Sequence, residues 1–162
     1  MDKELYSLFE SVLKEATKED IHVLKHVLEG LKNKQKHKRG TYLRSLFHID
    51  YELENGVITR GTLPVHLLTE NSLGILHGGI TFTLLDSVMG TYANQLLPDH
   101  LGAVTSNLSI HYIAPVSNGS ISATTQLLHH GKKTMVLEGK VVDSSNQLIA
   151  HGTGTFFIIT KK

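Results

Sequence analysis

From about residue 45 onward only one stretch of this chain carries helical spacing, and strand-like runs lie on both sides of it. Within residues 80–97, Ile80, Leu84, Leu85, Val88 and Tyr92 recur at helical intervals, the pattern of a helix with a buried face. Ahead of it, "SLFHIDYELENGVITRGTLPV" holds two strand-like runs around Glu54-Asn55-Gly56, and Asn-Gly is the strongest short hairpin signal. Pro64 weakens the second run toward its end, because proline has no N–H for a ladder. Behind the helix, strands are predicted near 102–114, 119–130, 132–143 and 147–159, separated by "PVSNG", "HGK" and "SSN". One helix among strands grouped in this way predicts an α+β domain, the helix lying on one face of an antiparallel sheet.

The N-terminal part reads differently. Leu5, Leu8, Phe9, Val12, Leu13 and Ala16 mark an amphipathic helix over residues 2–16. A second helix is expected to start at Thr17, with Asp20 three residues on completing a capping-box-like pair. Ile21, Leu24, Leu28 and Leu31 form its stripe, and Gly30 lies near its expected end. The run "KNKQKHKRG", residues 32–40, is expected to be a solvated linker. Two parts follow: a helical extension with its basic linker, 1–40, and a main domain, 41–162.

Composition removes several function classes. The chain has 162 residues and no cysteine, which excludes disulfides, thiolate metal sites and cysteine nucleophiles. No run approaches the roughly 20 apolar residues of a membrane span, and "MDKELYSLFE" has no signal-peptide core, so a cytoplasmic location is expected. A net charge of +1 gives no reason to expect nucleic acid as a partner. No HExxH, phosphate loop or dinucleotide fingerprint occurs, and no cofactor or metal is expected. His22, His26 and Glu29 share a helix face opposite the apolar stripe, where a solvated polar surface is expected. His129 and His130 are adjacent on a strand and so point to opposite faces. Gly152-Thr153-Gly154 indicates a bulge or close packing.

The chemistry-bearing stretch is "ENSLGILHGGITFTLLDSVMG", residues 70–90. His77-Gly78-Gly79 stands where a loop becomes the long helix. The first amides of a helix lack internal partners and sit at the positive end of its dipole, so the Gly78 N–H is a candidate donor to a developing oxyanion. The other reading is a glycine turn that only starts the helix. Asp86 lies in the apolar part. A carboxylate there must be hydrogen-bonded, paired or turned to a wet cleft, in a structural or a catalytic role. Eight residues separate Gly78 from Asp86, about 12 Å along one helix, beyond the reach of an aspartate side chain. One copy therefore cannot apply both groups to one carbonyl. Two copies with antiparallel helices about a two-fold axis can, so an active site built from these groups is expected to be shared across a dimer.

Asn71, Gly74, His77-Gly78-Gly79 and Asp86, with "AVTSNLSIHYIAPVSNG" at 103–119, resemble the PaaI-like hotdog-fold acyl-CoA thioesterases. The resemblance covers roughly residues 45–160. It implies a long central helix wrapped by an antiparallel sheet, and dimers that often pair into tetramers. It makes Asp86 the catalytic carboxylate and the Gly78 amide the oxyanion donor. Asn71 and His77 then hold the thioester and order the loop. Thr105 assists the water or the aspartate, with Ser106 as its rival. Gly79 and Ser106 are implied substrate contacts, and Phe82 and Met89 are candidate pocket walls or core residues. Asn107 departs from the family pattern, where its place is often acidic.

A thiolate is a good leaving group, since free thiols ionise near ~8.5. One carboxylate, as general base or nucleophile, and one oxyanion donor are then enough, with coenzyme A entering only as part of the substrate. The expected activity is hydrolysis of an acyl-CoA or acyl-carrier thioester. The alternatives are a non-catalytic acyl-CoA-binding regulatory module and a hotdog hydratase or dehydratase. On this reading the basic run, Lys32 to Arg39, has two further roles open to it: contact with coenzyme A phosphates, or with an anionic partner.

Overall fold

The computed structural model describes residues 2–36 and 40–161. The chain divides into two compact units, Met1–Phe47 and His48–Lys162. Among the described residues no helix is long and apolar enough to cross a membrane.

The first unit holds α1 (Lys3–Glu15), α2 (Lys18–Lys36) and α3 (Tyr42–Leu46). Asp2 caps α1 by accepting the N–H groups of Glu4 and Leu5. The expected pair at the start of α2 is present: Asp20 Oδ2 takes the N–H and hydroxyl of Thr17, and Thr17 Oγ1 takes the Asp20 N–H. The bonds from Thr17 hold the Asp20 carboxyl below its ordinary value.

Three expectations fail in this unit. Residues 32–36 end α2 and are not linker, because Lys and Gln, four of the five residues, carry helical propensity that a charge reading ignores. Of that run, residues 37–39 lie outside the described residues. Gly30 is inside α2, where a Cβ would come 2.7 Å from the Ser45 carbonyl oxygen, so it marks the crossing with α3 and not a helix end. The face holding His26 is not simply solvated: His26 is half-buried and its Nε2 lies 3.1 Å from the Leu46 carbonyl oxygen, whereas Leu28 and Leu31 are exposed.

The second unit is a six-stranded antiparallel sheet in the order β1-β2-β4-β5-β6-β3. Its strands are β1 (Asp50–Glu54), β2 (Val57–Pro64), β3 (Leu101–Tyr112), β4 (Ser120–His130), β5 (Thr134–Asp143) and β6 (Leu148–Thr160), with helix α4 spanning Gly78–Gln95. The β1–β2 turn is the Asn-Gly one, with φ of 52° at Asn55 and 81° at Gly56, the double left-handed step of a tight hairpin. Between β2 and α4, Leu67–Thr69 form a 3-10 turn.

Leu84, Leu85, Val88, Met89 and Ala93 of α4 are fully buried, as are Leu63, Ile121, Met135, Leu137 and Phe156 of the sheet. Gly139 and Gly152 lie opposite one another on β5 and β6. A Cβ on either would stand within 2.9 Å of a Leu85 methyl, so the helix rests there on bare backbone. Pairing runs unbroken through Gly152-Thr153-Gly154 on both sides, so these glycines serve close packing and not a bulge.

The bulge is on β3. Thr105 pairs with Phe156 and Asn107 with Thr155, leaving Ser106 extra. Successive strand residues alternate in direction, so Thr105 and Tyr112 would face opposite sides of a regular strand. With Ser106 inserted, both turn toward α4. Strand β3 is tied to the helix at three points: Asn94 exchanges side-chain hydrogen bonds with the Ala103 N–H and C=O, Thr105 reaches Asp86, and Tyr112 reaches Gly78.

Candidate active site

The loop before α4 is built from backbone bonds and two polar side chains. Asn71 Oδ1 accepts the Leu73 N–H at 2.9 Å, and the Asn71 N–H bonds to the Ile75 carbonyl at 2.8 Å, with Gly74 at φ 70° closing the turn. Asn71 thus shapes the loop directly. The His77 N–H donates to the carbonyl of buried Thr69 at 2.8 Å, and Leu76 N–H to Val116 at 2.7 Å.

His77 is the N-cap of α4. Its Nδ1 accepts the Gly79 N–H at 2.9 Å, and its carbonyl takes the N–H groups of Ile80 and Thr81. An accepting Nδ1 places the proton of the neutral ring on Nε2. The Gly78 N–H is left with no acceptor among the described residues. Tyr112 donates its hydroxyl to the Gly78 carbonyl at 2.8 Å, and burial pushes its phenol above the ordinary 10.0. Beside this turn opens a cleft of about 330 Å³, with Asn71, Gly78, Thr81 and Tyr112 on its wall and Ile75, Ile113, Val116 and Ile149 among its apolar lining.

Asp86 lies two turns farther along α4, half-exposed. Thr105 Oγ1 donates to its Oδ1 at 2.7 Å. Ser106, the rival position, instead donates to the Thr155 carbonyl at 2.9 Å. Asn107 pairs with Thr155 and faces away from the helix. Phe82 is half-buried on α4, and Met89 is fully buried, with its sulfur and methyl toward Gly154 and Gly139.

The residues expected at the site therefore form two clusters in one chain. Asn71, His77, Gly78 and Gly79 gather at the helix N-terminus, and Asp86 and Thr105 gather in its middle. Tyr112, present in the quoted strand without an assigned task, joins the first cluster. Its signal was the seven-residue spacing from Thr105, which pairs the two only if the strand carries a bulge. Among the described residues no group of three or more His, Asp or Glu side chains is placed to hold a metal ion.

Residues 73–150 match the family model described as the thioesterase superfamily. The crystal structure of the BH2602 protein from Bacillus halodurans, solved with CoA, is 40% identical and superposes with a TM-score of 0.87, covering 95% of this chain and 99% of that one. A protein of Saccharolobus solfataricus named as an esterase is 31% identical over 85 residues, 52% of this chain and 56% of that protein. The 1,4-dihydroxy-2-naphthoyl-CoA hydrolase of Listeria monocytogenes is 27% identical over 90 residues, 55% of this chain and 72% of that protein. The chain spans 56% and 63% of the two esterase-named relatives from Saccharolobus solfataricus.

Proposed function

Because the chain belongs to the thioesterase superfamily and has the hotdog fold, we propose that it hydrolyses acyl-CoA or acyl-carrier thioesters to a free acid and a thiol. Asp86 is the base or nucleophile, and the N–H of Gly78 of the partner subunit is the oxyanion donor. The carrying observation is the pairing of an acceptor-free Gly78 N–H at a helix start with a half-exposed Asp86, held by Thr105, on the same helix.

As a base, Asp86 takes a proton from a water whose oxygen attacks the thioester carbon. As a nucleophile, its free oxygen attacks that carbon and water later opens the resulting anhydride. In both routes the carbonyl oxygen becomes negative, and the C–S bond breaks to release a thiolate. A donor fixed at a helix N-terminus is aimed where that charge develops, and loss of such a donor costs about 10²–10³ in rate. Thr105 orients the carboxylate by engaging one oxygen and leaving the other for chemistry. The apolar cleft beside Gly78 suits an uncharged chain. The structure of the 40%-identical Bacillus halodurans protein with CoA supports coenzyme A as the carrier of that chain. The helix separation of about 12 Å between Gly78 and Asp86 supports a homodimer whose sites each draw on both copies.

The test is free-thiol release from short, medium, long and aryl acyl-CoAs by wild type and Asp86→Asn. Turnover on at least one class, lowered on the order of 10²-fold by the substitution, is expected. Turnover that survives unchanged removes Asp86 from the mechanism. No turnover together with retained acyl-CoA binding makes the protein a binding module instead.

A further inference from the structure

We propose that Tyr112 is a positioning residue whose hydroxyl, with the His77 ring, clamps the Gly78–Gly79 peptide and so aims the Gly78 N–H. The proposal rests on the reading of Gly78 as oxyanion donor. The Gly78 carbonyl and the Gly79 N–H are the two polar groups of one peptide plane. Tyr112 holds the first at 2.8 Å and His77 Nδ1 holds the second at 2.9 Å, so side chains from two different elements grip that plane at both ends. The neighbouring plane carries the Gly78 N–H, and the only joints between the two are the dihedrals of Gly78.

That joint needs holding. Two consecutive glycines have the widest backbone freedom of any pair, and the N-terminal turn of a helix lacks half its internal bonds. A donor that wanders gives little of the preorganised stabilisation that oxyanion catalysis depends on. The hydroxyl end of the Tyr112 ring also lies close against Gly78: a Cβ there would stand 3.2 Å from Cζ and 3.3 Å from Cε1. Ring and glycine are thus matched in shape as well as bonded. The phenol, raised by burial above 10.0, stays a donor throughout the range in which thioesters survive long enough to assay. The strand that brings Tyr112 to Gly78 also brings Thr105 to Asp86, so one strand positions both halves of the proposed chemistry.

Tyr112→Phe keeps the ring and deletes only the donor. Steady-state thiol release should show kcat lowered about 10-fold, with KM within about two-fold of wild type. Amide hydrogen exchange, read residue by residue, should quicken at Gly79 and stay unchanged at Ala103. An unchanged kcat, or a rise in KM with kcat intact, overturns the proposal. Should wild type release no thiol from any acyl-CoA, the thioesterase reading falls by itself. Exchange at Gly79 then decides the clamp alone: a rate equal to wild type in the Phe variant overturns it.

Discussion

The Thr105 hydroxyl stands 2.7 Å from Asp86 Oδ1, while the hydroxyl of Ser106 next to it is spent on the Thr155 carbonyl. The two neighbours are nearly interchangeable as chemistry and wholly different in task. Thr105→Val, which keeps the shape and deletes the donor, should lower kcat for thiol release about 10-fold, and Thr105→Ser should recover most of it. Ser106→Ala should stay within about two-fold of wild type. A larger loss at 106 than at 105 would move the supporting hydroxyl to the bulge.

A shared site has a stoichiometric signature. Asp86→Asn and Gly78→Val should each be nearly inactive alone. Co-expressed, they assemble heterodimers with one doubly damaged and one intact site, and random pairing should return about a quarter of wild-type activity. Activity no greater than the sum of the separate variants would mean that each copy works by itself.

Glycine at two places in the second unit has opposite consequences. Gly139→Ala puts a methyl 2.8 Å from both Leu85 Cδ1 and the Thr124 carbonyl oxygen, and should destabilise by about 1–3 kcal/mol. Gly90→Ala, in the middle of α4, meets only Phe156 Cε1 at the ordinary distance of 3.6 Å and should stabilise by about 0.5–1 kcal/mol. Urea midpoints at constant slope measure both.

Acid sensitivity has a named contributor at the β5–β6 turn. Asp143 Oδ1 accepts from the hydroxyl and N–H of Ser145 and from the Gln147 N–H, and these bonds hold its carboxyl below the ordinary 3.8. A carboxyl lowered on folding stabilises above its unfolded value and loses that contribution as pH falls through its folded one. Asp143→Asn should therefore lower the melting temperature at pH 6 and lower it by less at pH 2. An equal loss at both pH values would show that the ionised form does not matter.

Much of this was legible in the chain, for reasons that differ by element. Residues 80–97 announced α4 through their period, and the four strands after it lie within two residues of where the turn signals put them. Asn55-Gly56 forms the expected turn because few other dipeptides accept two positive φ angles. The five-residue α3 was hidden, since one turn is too short to show a period, although Thr41 caps it through the Arg44 N–H. His77 was readable as part of a loop–helix junction, yet its capping of Gly79 was not, because histidine is an uncommon cap. The choice between Thr105 and Ser106 could not be made from residue type. It depends on a bulge, which leaves no mark in composition.

That bulge gives β3 something like a reading frame. Thr105 and Tyr112 are in phase with α4 only because Ser106 is one letter too many. Removing it, or adding one residue anywhere between the two, would leave one end facing the helix and turn the other to the opposite side of the sheet. Insertions of two would preserve the phase. Natural variation in this strand should accordingly come in even steps, as the codon frame of a gene tolerates threes.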